Sequence, residues 1–245
     1  MRFRETDLLI FEHIRQFRLA TNVGLAETVF ADIYPNYSAR AKAAGEASAA
    51  LTRQGYLMAL QLLRGHKCYM LTQKATSVIG EIPNVLTAAP GPQRLDFDLA
   101  VECFCCYPLK KVVSHRLDRD DLAELYPNFE FPQNVVHTLR EEDGGPIVYR
   151  MYLCSAGKTT RCIKHIHRLL AAIAETPAIS TPDACPCGLA VMAPTSQATD
   201  ALRDAIKNAQ FNYRRKILVT QVGTSETLHA YSKVYKSQLG LEAAA

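Results

Sequence analysis

The sequence predicts a mixed α/β protein, α+β overall, in two parts: a helical N-terminal segment closed by a β-hairpin, then a longer stretch where strands and helices alternate. Three observations carry this. Apolar residues recur at helical spacing in three successive segments before residue 55. Two strand-like runs, residues 56–63 and 68–71, flank the polar turn Arg64, Gly65, His66, Lys67. Beyond residue 94 the order strand, helix, strand, helix, strand implies a sheet that is at least partly parallel, with helices on its faces.

The first helix is marked by Leu8, Phe11, Ile14 and Phe17, with Thr6 as its N-cap. After the polar break at Thr21 and Asn22, a short helix carries Leu25 and Val29 and closes at Tyr34, Pro35 and Asn36. A third helix starts at Ser38 and runs to Gln54. Gly55 ends it, since glycine adopts the left-handed conformation without cost. Three helices and a hairpin over residues 1–80 make a winged helix-turn-helix. In that arrangement the third helix enters a DNA major groove and the hairpin tip reaches phosphate or minor groove. The candidate DNA contacts are Tyr37, Ser38, Arg40 and Lys42 at the helix start, with Arg64, His66 and Lys67 at the tip. Arg40 and Lys42 are expected to face solvent. Such residues can also be ordinary surface cations, and winged helices can bind protein. Basic residues at both contact points favour double-stranded DNA.

A chain of 245 residues, 48% of them hydrophobic, can fill two modest cores. It has no run of about 18 apolar residues. Arg2, Arg4, Glu5 and Asp7 stand where a signal peptide would be apolar. A cytoplasmic protein with no membrane segment is the expectation. Net charge is +4; residues 1–80 carry ten Lys and Arg against six Asp and Glu, and the remainder carries 18 of each. That asymmetry supports nucleic acid binding by the N-terminal segment. The eight cysteines read as buried thiols rather than disulfides in a cytosolic chain. Zinc at Cys103, Cys106, Cys185 and Cys187 is the sharper alternative. Leu95, Leu99, Cys103 and Cys106 share one helical face, however, which favours a core helix, so no metal or cofactor is expected.

Residues 81–93, with Pro83, Pro90, Gly91 and Pro92, read as a linker. The α/β accessory domain then spans 94–231, with helices at 95–107, 118–126, 160–175 and 198–210. Strands are expected at 111–115, 134–140, 146–154, 188–192 and 216–222. The 160–175 helix is the strongest, with Ile163, Ile166, Leu170 and Ile173 on one side. The tail, 232–245, is expected to fray.

The passage Leu51, Thr52, Arg53, Gln54, Gly55, Tyr56, followed by Tyr69, Met70, Leu71, Thr72, together with the segment order, resembles the replication-relaxation family of plasmid and mobile-element proteins. The resemblance implies an N-terminal winged helix joined to a domain resembling a restriction-endonuclease core. A working nuclease of that kind needs an acid on one strand and an acid-x-lysine on the next. Here the corresponding strand reads Tyr149, Arg150, Met151, Tyr152, and Glu141, Glu142 and Asp143 fall in a turn, where they are expected to be exposed. The core therefore reads as degenerate. Ser155, Ala156, Gly157, Lys158 and Thr159 imitate a phosphate loop but lack its first glycine. His165 and His167, two apart on a helix, point to different faces and cannot readily share a metal.

Together these features predict a cytoplasmic, non-enzymatic, homodimeric DNA-binding protein that regulates transcription, replication or transfer of a mobile element. A nuclease or nucleotide hydrolase with an unrecognised site, and a protein-binding scaffold, are the competing classes.

Overall fold

In the computed structural model, which describes residues 3–80, 87–107, 114–127, 135–142, 145–154, 159–175, 187–211 and 216–238, the chain opens with helix α1 (Glu5–Phe17). The Asp7 carboxylate accepts the Arg4 backbone N–H at 3.0 Å, so the cap lies at Arg4 and not at Thr6. The buried stripe is Ile10, Phe11, His13, Ile14 and Phe17, and Leu8 stays 41% exposed. A two-residue strand β1 (Ala20–Thr21) leads into α2 (Asn22–Glu27), whose Gly24 N–H donates to Thr21 Oγ1 at 3.0 Å. Helix α3 (Tyr37–Arg53) is capped by Asn36, whose side chain accepts from Ala39 N at 2.8 Å. It ends as the sequence implies: Gly55 takes φ 78° and Tyr56 N donates back to Leu51 O at 3.0 Å. Strands β2 (Leu57–Gln61) and β3 (Lys67–Leu71) form the hairpin, and β1 pairs with the far edge of β3, giving the antiparallel order β1-β3-β2. A short helix α4 (Thr76–Ile79) follows.

The chain forms two units, Met1–Leu109 with Gly223–Ala245, and Lys110–Val222. This differs from the expected break at 81–93. Helix α5 (Pro92–Cys106) packs with the first unit, and every residue from Asp98 to Cys106 is buried. Its cysteine-bearing face is therefore core, as expected, but so is every other face. Glu102, fully buried, explains the attachment. Its Oε1 accepts the Thr21 backbone N–H at 2.7 Å and lies 3.2 Å from His13 Nε2. Thr28 Oγ1 donates to Gly24 O at 2.9 Å and so accepts from His13 Nδ1 at 3.1 Å. Residues of α1, β1 and α5 thus meet at one carboxyl group, with α2 close enough that a Cβ on Gly24 would lie 2.2 Å from Oε1. The same helix holds Asp96, whose Oδ1 accepts from Ser225 N at 2.8 Å, and Asp98, which takes Arg94 Nε at 2.8 Å.

The segment expected to fray, 232–245, is helical over its first half, 232–238, and its remainder lies outside the described residues: α9 (Leu228–Gln238) buries Leu228, Tyr231, Ser232 and Tyr235 in the first unit. Tyr231 and Tyr235 stack on Tyr107 at 5.5 and 5.0 Å, and the Tyr107 hydroxyl lies 3.0 Å from Thr21 Oγ1. Counted over the observed units, the first carries 13 Lys and Arg against 12 Asp and Glu, and the second 15 against 12. The sequence-level charge asymmetry does not survive as a property of the unit. The acids that cancel it include Glu102 and Asp98, both internal, so they leave the charge of the surface largely unchanged.

The second unit is built on β4 (Ser114–Leu117), α6 (Arg119–Leu125), β5 (His137–Arg140), β6 (Ile147–Leu153), α7 (Thr159–Glu175), β7 (Cys187–Ala193), α8 (Ser196–Asn208) and β8 (Ile217–Gln221). Its sheet has the order β4-β5-β6-β7-β8, antiparallel from β4 to β6 and parallel from β6 to β8. The expected mixed sheet is present. Helices α7 and α8 pack on the β7 side chains Cys187, Leu189, Val191 and Ala193 through Ile166, Leu170, Ile173 and Leu202. Leu122 of α6 joins Leu117 and Val148 in a smaller cluster. Cys154 and Cys162 form a disulfide across a Cα separation of 6.4 Å, which corrects the reading of all eight cysteines as thiols. Residues 111–113 of the expected first strand lie outside the described residues. Among the described residues, no helix is long and apolar enough to cross a membrane.

Two expectations follow from this packing. Glu102→Ala strands the Thr21 N–H and one nitrogen of His13 in the core, so chemical denaturation should show a loss of about 3–5 kcal/mol; a loss below about 1 kcal/mol would contradict the junction. In the second unit, burial and then Arg150 push His137 down to about 4 from an ordinary 6.5. A histidine whose folded value is depressed takes up protons on unfolding, so its contribution is intact above neutrality and is lost as pH falls from 6.5 towards 4. That amounts to on the order of 3 kcal/mol. Hydrogen exchange in β5 and β6 should record it, and a His137→Gln variant that is equally acid-sensitive would refute it.

Candidate nucleic-acid interface

Helix α3 presents one face to the core, through Tyr37, Ala44, Ala47, Ser48 and Leu51, and leaves Ser38, Lys42, Glu46, Ala49 and Arg53 exposed on the other. The spacing of both sets follows the helical period. Between the exposed residues lie Ala39, Ala41 and Gly45, all part-exposed and small. Bulk is therefore absent from the N-terminal half of the exposed face apart from Lys42 and Glu46, which sit 4.0 Å apart as a solvent-exposed pair.

Two of the expected contacts are not on that face. Tyr37 is 7% exposed, lies beneath Lys236 at 6.0 Å, and has its hydroxyl pushed up to about 12 by burial and then by Glu27. Arg40 does not face solvent either. Its Nη1 lies 3.5 Å from Glu27 Oε2, joining α3 to α2, with the two side chains only 19% and 12% exposed. Burial raises the Glu27 carboxyl while Arg40 and then the Tyr235 hydroxyl hold it down. The sequence offered no sign of this because Glu27 and Arg40 belong to different helices.

The hairpin tip closes through Leu62 N to His66 O at 2.8 Å, with Arg64 and Gly65 both left-handed at φ 56° and 79°. Arg64 and Lys67 are exposed there. His66 is half-buried instead, its Nε2 3.1 Å from His229 Nδ1 on α9. Desolvation, then His229 and Lys236, lower its pKa. The structure thus keeps Ser38, Lys42, Arg64 and Lys67 as exposed members of the expected set. It adds His229, whose partner His66 lies 163 residues away in sequence.

Among the described residues, no group of three or more His, Cys, Asp and Glu side chains is placed to hold a metal. Glu142 is not an exposed turn acid: it accepts from the Tyr149 hydroxyl at 2.6 Å, pairs with Lys216, and lies 3.7 Å from Arg140. Burial pushes its carboxyl up, but those partners outweigh it and hold the group below its ordinary range. Asp143, Cys185 and the loop residues 155–158 lie outside the described residues. Cys103 and Cys106 are buried thiols pushed well up, by desolvation first and Glu102 second. His165 stacks on Tyr152 at 4.7 Å and His167 on Phe211 at 4.5 Å, so the two do point apart.

Comparison of the chain with protein-family models, with curated proteins and with solved structures finds no match.

The two α3 cations should separate in a thermal melt. Arg40→Ala uncovers a part-buried Glu27 and should cost about 1–3 kcal/mol, whereas Lys42→Ala should leave the melting temperature unchanged. Equal melting temperatures for both variants would show that the Arg40–Glu27 pair contributes nothing.

Proposed function

We propose that the first unit is a winged helix-turn-helix that binds double-stranded DNA, with α3 in the major groove and the β2–β3 hairpin as the wing. The observation that carries this reading is the pairing of two exposed features. One is the α3 face, where the small residues Ala39, Ala41 and Gly45 lie between Ser38, Lys42 and Glu46, so a groove wall can approach the backbone closely. The other is a hairpin tip with Arg64 and Lys67 free in solvent. Phosphate contacts of this sort supply affinity, and polar side chains at the start of the helix supply selectivity.

The second unit serves as an accessory domain in this reading. Its β6 carries Tyr149, Arg150 and Met151, and Glu142 is engaged by Tyr149 and Lys216, so the degenerate endonuclease-like core binds or supports and does not cleave. The resemblance to the replication-relaxation family supports a cytoplasmic regulator of replication, transcription or transfer. One such module covers only a short half-site, so the protein acts as a homodimer on a near-palindromic site.

Selection of bound fragments from random duplex DNA, followed by fluorescence anisotropy over a range of salt concentrations, tests the reading. Affinity should fall steeply with salt, and Lys42→Ala or Arg64→Ala should each weaken binding and reduce the log–log salt slope by about 1 if it meets a phosphate. Salt-independent binding, or unchanged affinity in both variants, would remove the proposal.

A further inference from the structure

His66 and His229 come from the hairpin and from α9, residues far apart in sequence, yet their rings meet edge-on with Nε2 and Nδ1 3.1 Å apart. One of these nitrogens must donate and the other accept, so the facing edges hold a single proton between them. Charging both rings in place would turn two N–H groups against each other. The surroundings make that costlier still. Lys236 and Lys233 lie on the same helix as His229, seven and four residues on, and therefore on its face. Arg64 stands two residues before His66 on the hairpin tip. Desolvation comes first in lowering both histidines. Lys236 acts on each, His229 acts on His66, and Lys233 and Arg64 act on His229.

Three permanent cations and two imidazoles thus crowd together, and no carboxylate contributes to either histidine. Glu226, three residues before His229 in the turn that leads into α9, is exposed, and Glu27 on α2 is occupied by Arg40 and Tyr235. The helix C-terminus explains part of the arrangement, since its dipole favours Lys233 and Lys236. It does not explain a histidine pair held beside Arg64. Helix α9 also touches both parts of the candidate interface: His229 meets the hairpin tip, and Lys236 lies over Tyr37 at the start of α3. Seven residues separate these contacts, about 10 Å along a helix axis.

We infer that Arg64, His66, His229, Lys233 and Lys236 form a binding site for a phosphate group of the DNA backbone, and that α9 is therefore part of the DNA-contacting surface. The inference rests on the DNA-binding reading above and deepens it. A bound phosphodiester supplies the missing negative charge, so the pair opens, each ring turns an N–H towards a phosphate oxygen, and each histidine that becomes charged takes up one proton from solvent. Binding then tightens as pH falls, by about tenfold per pH unit for each proton taken up.

The test uses the full chain and two probes. Histidine ring NMR during a titration with inorganic phosphate near pH 6.5 should shift His66 and His229 together. Anisotropy with duplex DNA at pH 6 and pH 8 should show tighter binding at the lower pH. His229→Gln should flatten that dependence, and Lys236→Ala, at an exposed position, should lower the salt slope by about 1. DNA binding whose pH and salt dependence match the wild type in both variants overturns the inference and leaves the DNA reading standing. Failure of the wild-type chain to bind duplex DNA at low salt overturns both. A phosphate titration that moves neither histidine also overturns the inference, whatever the DNA result.

Discussion

A carboxyl group with no solvent exposure holds the first unit together. Glu102 takes the Thr21 amide and faces His13, so β1, α1 and α5 cannot separate without leaving polar groups stranded in an apolar interior. Each group faces the other and a further polar partner, Thr21 N for Glu102 and Thr28 Oγ1 for His13, which is how a glutamate and a histidine can both be buried. Gly24 belongs to the same constraint, since any side chain there would occupy the space of Oε1. Because α5 is anchored this way, the unit needs more than its first 80 residues.

That anchoring shapes the surface as well as the core. The acids of α5 are turned inward or tied to Arg94 and Ser225, so a unit that is almost neutral by count still presents uncompensated cations at the hairpin and along α9. The tyrosines Tyr231 and Tyr235 pack on Tyr107, whose hydroxyl reaches Thr21, so the placement of α9 depends on the same β1 strand that Glu102 fixes. In the proposed function, the charged surface and the buried junction are two outcomes of one packing arrangement.

Much of the architecture was legible in local pattern. The stop of α3 at Gly55, the hairpin around Arg64 and Gly65, the apolar side of α7 and the mixed sheet all follow from signals that act within a few residues. What escaped has the opposite character. Strand β1 is two residues long and has no period to detect. Its pairing with β3 consists of Ala20 opposite Tyr69 and Thr21 opposite Cys68. The burial of Arg40 against Glu27, of His66 against His229, and of Glu142 against Lys216 joins residues 13, 163 and 74 positions apart. Each looked like an ordinary surface residue because its partner was on another element. The α9 segment did carry a readable signal, with Leu228, Tyr231 and Tyr235 at helical spacing, but its polar and basic residues concealed it.

Hydrogen exchange of the full chain, with and without duplex DNA, tests the account most directly, because it locates the contact surface without assuming which residues form it. The account predicts slowed exchange in the N-terminal half of α3, at the hairpin tip and along α9, with β4 to β8 unaffected at their central positions. Protection confined to residues 110–222, with α3, the tip and α9 unchanged, would contradict it.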